Sequence, residues 1–195
     1  MKKMNDYLSK ITDEEIKQLP LKHFEGKIYI VESEQNLNEI IDKIESASVL
    51  GFDTETKPSF KKRVKNDVSL LQLSTANEVF LIRLKKTGIS NRMVKILGNK
   101  KLLKVGVAIK DDIKALQKIK NFKPEGFIDL QDYVKDYGIE NNGLKKLTAI
   151  VLNFRISKNQ QTSNWDNEIL TENQIKYAAT DAWVCYEIFK KLNHN

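Results

Sequence analysis

Apolar residues along this chain fall into two periodicities. Runs at 27–31 (Lys-Ile-Tyr-Ile-Val), 49–55, 68–73, 78–82, 103–107 and 127–130 are short, rich in Val, Ile, Leu and Phe, and bounded by polar or glycine-bearing joints, as strands are. Helical spacing governs the rest. Leu37, Ile40, Ile41 and Ile44 line one face behind Ser33, and a helix over about 90–97 stops at Gly98. Another runs from Asp111 to Ile119, and the chain reads as helical from Gln131 onward. There, Leu144, Leu147, Ile150 and Val151 mark an amphipathic helix, residues 153–165 form a polar loop, and Thr171-Glu172-Asn173-Gln174 opens a last helix to about Leu192 with a capping box. A second capping box, Thr12 to Glu15, starts a short helix before Pro20. The polar joint at 74–77 predicts an antiparallel hairpin, and the later alternation of strand and helix predicts parallel crossovers. The expected fold is therefore α/β, with a mixed five- or six-stranded sheet: three antiparallel strands, then parallel ones.

Domain organisation follows from what is missing between these elements. With 3 prolines, 8 glycines and no internal repeat, nothing in the 195 residues reads as an interdomain linker. We expect an N-terminal helical arm over 1–26 and one domain over 27–195. Hydrophobic residues at 41% and charged residues at 30% belong to a globular chain. No apolar run is long enough for a membrane span, no secretory signal is expected, and no membrane partner is expected. Cys185 is the only cysteine, which excludes an internal disulfide framework, fits a reducing, cytoplasmic setting, and reads as a buried structural thiol.

Charge adds a candidate partner. The net charge is +7, and two acid-free segments carry more than that between them: Lys57, Lys61, Lys62, Arg63 and Lys65 in 57–65, and Lys145, Lys146, Arg155 and Lys158 in 141–164. A surplus gathered in two places suits a polyanion, although solvated lysine-rich loops have the same composition.

Three groups of acids invite chemistry. Asp53 and Glu55 alternate with Thr54 at a strand end and so share one face, where a hard divalent ion would relieve their repulsion. Taken alone, two acids closing a strand in solvent would look the same. Asp181 lies one helical turn from Tyr177, flanked by Ala178, Ala179 and Ala182, whose small side chains permit close packing on a sheet. Asp111 and Asp112 open a helix, where either could serve only as a cap.

Together these stretches carry a resemblance. Phe-Asp-Thr-Glu-Thr at 52–56, Val-Gly-Val-Ala-Ile-Lys-Asp-Asp at 105–112 and Tyr-Ala-Ala-Thr-Asp-Ala at 177–182 resemble, in order, the three motifs of the DEDD 3′-5′ exonucleases. The branch is the one with tyrosine in the third motif. Leu144-Lys145-Lys146-Leu147 and Gln161-Thr162-Ser163-Asn164-Trp165 extend the likeness, which covers about 28–192 and stands nearer to the Werner syndrome exonuclease domain than to ribonuclease D. A ribonuclease-H-like fold is implied. So are two divalent ions, Mg²⁺ or Mn²⁺, held by Asp53, Glu55, Asp112 and Asp181, with Asp53 bridging both ions, Glu55 and Asp181 on the water-bearing ion and Asp112 on the other. The second motif selects Asp112 over Asp111. Tyr177 would orient the attacking water or help remove its proton, or else pack and donate a hydrogen bond to Asp181. Lys176 occupies the place where the histidine branch carries its base.

The expected substrate is nucleic acid with a free 3′ end, DNA favoured and RNA possible, cut to nucleoside 5′-monophosphates. Thr54, Thr56, Lys61, Lys62, Arg63, Arg155, Lys158 and Gln161 are the expected nucleic-acid contacts, with Phe60 a base-stacking or core residue and Trp165 an anchor for its loop. The rival readings are an RNA-trimming enzyme of the ribonuclease D kind and a catalytically silent nucleic-acid-binding module; the second predicts a substituted acid, and all four are present.

Overall fold

The computed structural model describes residues 7–59 and 66–193. Lys61, Lys62, Arg63 and Phe60 lie outside the described residues, and of the 57–65 segment only Lys57 to Ser59 falls within them.

The elements, in order, are α1 (Asp13–Gln18), β1 (Lys27–Val31), α2 (Glu34–Glu45), β2 (Val49–Thr56), β3 (Val68–Ser74), β4 (Glu78–Arg83), α3 (Leu84–Thr87), α4 (Asn91–Leu97), β5 (Leu103–Gly106), α5 (Lys110–Ile119), β6 (Phe127–Asp129), α6 (Leu130–Tyr133) with a following 3₁₀ turn (Val134–Tyr137), α7 (Leu144–Leu152) and α8 (Glu172–Asn193). Both capping boxes form: Thr12 and Glu15 cap each other at α1, and the Thr171 hydroxyl accepts from Gln174 N while the Gln174 side chain accepts from Thr171 N.

The six strands make one sheet in the spatial order β1-β4-β3-β2-β5-β6. β3 lies between β2 and β4 and runs antiparallel to both, and β2, β5 and β6 run parallel, as the connections require. The first strand, β1, lies at the edge, parallel to β4, with Lys27 opposite Glu78 and Val31 opposite Ile82. One core layer, built on Leu50, Phe52, Leu71 and Leu73, is closed by α2, α4 and α5. The opposite face is covered by α8, through Leu70, Val79, Leu81, Trp165, Ala178 and Ala179 in one cluster and Val105, Leu147, Cys185 and Ile188 in another.

Two local features set the site. First, β2 outruns its neighbour: it pairs with β5 only through Val49–Gly51, so residues 52–56 have an open edge on that side. Second, α8 crosses β2 with almost nothing between their backbones. A Cβ added at Gly51 would stand 1.9 Å from the Ala182 carbonyl oxygen and 2.5 Å from the Ser74 hydroxyl. The alanines at 178, 179 and 182 are wholly buried at this crossing, as their size allows.

The N-terminal arm is packed against the domain. Arg155 Nε donates to the Leu19 carbonyl at 3.1 Å, Arg155 N to Pro20 O, and Lys22 N to Arg155 O. Phe24 N donates to the Thr180 hydroxyl on α8, and Lys145 pairs with Asp13 at 2.9 Å. No described helix is long and apolar enough to cross a membrane.

Because the clash at Gly51 is with backbone, which cannot rotate away, Gly51→Ala should cost roughly 1–3 kcal/mol or more by overpacking. Urea unfolding should show the loss as a lowered midpoint; an unchanged midpoint would mean that α8 does not lie this close to β2.

Candidate metal-dependent active site

Asp53 and Glu55 emerge two residues apart from β2 on the face that α8 covers, and Asp181 reaches them from α8. One carboxylate oxygen from each of the three lies within 4.8 Å of the others. The register Asp53↔Gln72 and Glu55↔Leu70 shows how the sequence achieves this: the alternation of β2 turns Phe52 and Thr54 to the α5 side while the two acids turn to α8.

Asp112 comes from the other layer. Its carboxylate accepts a hydrogen bond from the Thr54 hydroxyl, so it meets β2 along the strand's open edge, outside the three-acid group. Asp111 points away: its side chain is 91% exposed and pairs with Lys114. The turn that carries Asp112 is held by an acid not singled out in the sequence. Asp129, at the end of β6, accepts from the backbone N of Ala108 (3.0 Å), Ile109 (3.2 Å) and Gln131 (3.0 Å), tying β6, α6 and the start of α5 together. Ala108 in this turn is left-handed, with φ 59°. An Asp after Phe-Ile in a strand looks like an ordinary helix cap, so only the spatial pairing reveals the latch.

Electrostatically the site is loaded with like charge. Burial, then the charges of Asp181 and Asp112, hold the Asp53 carboxyl well above the usual range. Burial, followed by Asp53, Asp181 and Asp112, pushes Glu55 up to about 10. Asp181 rises to about 7 through burial, with relief from the Tyr177 hydroxyl and from Lys158. Asp112 is raised mainly by burial, against the hydrogen bond from Thr54. No described residue forms an ion pair with any of the four. Tyr177 is raised by burial and by the surrounding carboxylates, so at neutral pH its phenol keeps its proton and donates to Asp181. Such an array of inward-facing, half- to fully buried oxygens, with no ion pair among the described residues, fits hard divalent metal ions.

Asp53, Glu55 and Asp181 open into a cleft of about 360 Å³ whose other lining includes Thr54, Lys145, Ser157, Lys158, Gln161 and Tyr177. Lys158 and Gln161, two of the expected nucleic-acid contacts, line this cleft. Arg155 does not line it; its guanidinium is engaged with the arm. Thr56 lines a separate groove with Lys57, Asp112 and Lys114. Trp165 is fully buried with its ring centroid 6.0 Å from that of Tyr177, holding the 153–171 loop to α8, and Cys185 is buried beneath the acids.

Comparison with known proteins gives these features a family. The profile of the family described as 3′-5′ exonuclease matches residues 28–195. The mouse bifunctional 3′-5′ exonuclease/ATP-dependent helicase WRN is 31% identical over 186 residues, covering 90% of this chain and 13% of that protein. Among solved structures, the Aedes aegypti Nibbler EXO domain superposes with a TM-score of 0.78 at 25% identity, covering 89% of this chain and 93% of that one. Escherichia coli RNase D, an exoribonuclease involved in structured RNA processing, shares the fold with a TM-score of 0.77 at 20% identity, over 86% of this chain and 44% of its own. The chain spans between 13% and 39% of the length of the curated relatives it matches. With the family matched from the first strand through the last helix, and three acids gathered where β2 meets α8, this chain belongs to the 3′-5′ exonuclease family.

Proposed function

We propose that this chain hydrolyses phosphodiester bonds one nucleotide at a time from the free 3′ end of a nucleic acid strand, DNA in preference to RNA, releasing nucleoside 5′-monophosphates, with Mg²⁺ or Mn²⁺ held by Asp53, Glu55, Asp112 and Asp181. The observation that carries this reading is the convergence of Asp53, Glu55 and Asp181 within 4.8 Å in a cleft where none of the described residues forms an ion pair with them. The preference for DNA extends the motif likeness to the Werner syndrome exonuclease domain, and the relative rates on DNA and RNA decide it.

Bound by the acids, divalent ions supply neutralisation of the phosphate and a water nucleophile at neutral pH. The chain's own residues supply the rest. Asp53, Glu55 and Asp181 form the group that would hold one ion, and Asp112, steadied by the Thr54 hydroxyl, would serve the second. Tyr177 donates to Asp181 and so orients it, and it stands beside the acids where an attacking water would be positioned. Lys158 lines the cleft close enough to Asp181 to affect its charge, and it can draw the scissile phosphate in. Gln161 offers both a donor and an acceptor to the terminal nucleotide.

With strands of DNA and RNA labelled at either end, wild-type protein plus Mn²⁺ or Mg²⁺ should produce a stepwise ladder from the 3′ end, faster on DNA, and chelator should abolish it. Asp53→Asn and Asp112→Asn should each lower the rate by about 10²- to 10³-fold, as expected when a group acting on the transition-state charge is removed. Asp111→Asn should remain within a few-fold of wild type. Equal loss in Asp111→Asn and Asp112→Asn would overturn the assignment in the second motif.

A pH dependence follows from the raised carboxyls. Without metal, the folded protein keeps protons on Glu55 and Asp181 that the unfolded chain releases near its ordinary carboxylate range. These groups therefore cost stability progressively as pH rises from about 4, through about 7 for Asp181 and toward about 10 for Glu55. Metal binding must displace the same protons. The rise in Tm produced by saturating Mn²⁺ should accordingly grow between pH 6 and 9; a metal-induced shift independent of pH would contradict this electrostatic picture.

A further inference from the structure

Beside the acid cleft lies a second cavity, of about 170 Å³, walled on one side by the N-terminal arm. Lys22 and His23 come from the arm, Asn173 and Lys176 from α8, and the two cavities share Ser157 and Tyr177 as a common partition. The arm is seated firmly enough for its side chains to belong to the wall. Arg155 is bonded to Leu19 and Pro20, Phe24 N to the Thr180 hydroxyl at 3.1 Å, and the Phe24 ring lies 5.9 Å from that of Trp183.

The charge at this wall is available for a ligand. Lys22 stands over the Phe154 ring, its ammonium 5.4 Å from the centroid, and neither Lys22 nor Lys176 has a carboxylate partner among the described residues. Other lysines are taken up by acids, among them Lys10, Lys43, Lys85, Lys86, Lys114 and Lys145. His23 Nε2 lies 4.0 Å from Glu25. Two unpaired ammonium groups, an imidazole and the Asn173 amide around one opening suit a phosphate-bearing ligand and leave a neutral or cationic one unpaired.

We propose that the arm and α8 together form a subsite for the phosphates of the substrate strand on the 5′ side of the scissile bond, with Lys22 and Lys176 as its phosphate contacts. The inference rests on the exonuclease reading above. An enzyme that removes one nucleotide at a time has a single nucleotide on the 3′ side of the cut, and the cleft with the acids holds it. Every other nucleotide lies on the 5′ side, and a compartment that adjoins the cleft at Ser157 and Tyr177 gives the strand a place to lie. The arm then has a substrate-binding role in addition to packing.

The test uses the full chain, with wild type beside Lys22→Ala/Lys176→Ala; both side chains are exposed, so folding should be unaffected. The kcat/KM for the first excision is measured on 5′-labelled single strands of two to ten nucleotides. Wild type should gain rate as the strand lengthens beyond two nucleotides and then level off. The double variant should match wild type on the dinucleotide and lose about ten-fold on the longest strands, by removal of phosphate contacts. Strand binding is read separately by fluorescence anisotropy in an Asp53→Asn background, where no turnover is needed. There the slope of log affinity against log salt should flatten by about 1.4, two contacts at about 0.7 each on single strands. An identical length profile and salt slope in variant and wild type would overturn the subsite. Weaker inhibition of the double variant by a nucleoside 5′-monophosphate, with an unchanged length profile, would also overturn it by assigning the cavity to released product. If wild type cuts no strand, the exonuclease reading fails, and the anisotropy slopes still decide whether Lys22 and Lys176 hold a phosphate backbone.

Discussion

The structure depends on the crossing of α8 over β2, where Gly51 leaves no side chain between the strand and the Ala182 carbonyl. That contact sets how far Asp181 stands from Asp53 and Glu55, and so determines whether three acids become one site. Hydrophobic packing supplies the force. Leu70, Val79, Leu81, Trp165, Ala178 and Ala179 bury one stretch of the helix on the sheet, and Leu147, Cys185 and Ile188 bury the next. The energy gained there holds together carboxyls that would repel one another if all were ionised, so without metal they retain protons, Glu55 up to about 10. A fold that gathers acids at such a cost is complementary to cations that displace those protons.

Much of this was legible in the sequence, and the reasons are local. The acids of β2 share a face because strands alternate, Tyr177 and Asp181 share one because helices repeat every 3.6 residues, and both capping boxes need only a four-residue window. All six strands were visible as apolar runs, and the alanines of α8 announced a close approach. The features that escaped depend on partners far away in sequence. Lys104 sits in a strand where a lysine would be expected to face solvent; instead it is wholly buried, its ammonium donating to the carbonyls of Ile96, Asn99, Leu102 and Glu125. Arg155 and Lys145 counted as free positive charge in the sequence, yet one is bonded to Leu19, 136 residues away, and the other to Asp13. The Asp129 latch pairs residues about twenty apart across a turn whose Ala108 adopts an uncommon backbone conformation.

Those long-range pairings change how the basic surplus is understood. Part of the positive charge in 141–164 serves to fasten the N-terminal arm, and Lys158 is the member of that group placed beside the acids. The arm in turn brings Lys22 next to Lys176, so a segment outside the family match contributes to the surroundings of Tyr177. Cleavage chemistry and strand handling thus divide between two adjoining compartments: carboxylates where β2 meets α8, and cations where the arm meets the same helix one turn away.

The central claim is that Asp53, Glu55, Asp112 and Asp181 exist to hold divalent metal. Anomalous diffraction from crystals soaked in Mn²⁺, collected at the manganese edge, addresses it most directly. The account predicts a strong peak in contact with Asp53, Glu55 and Asp181 and a second involving Asp112, neither present in crystals of Asp53→Asn. Fully occupied manganese elsewhere, with none at Asp53, would contradict it.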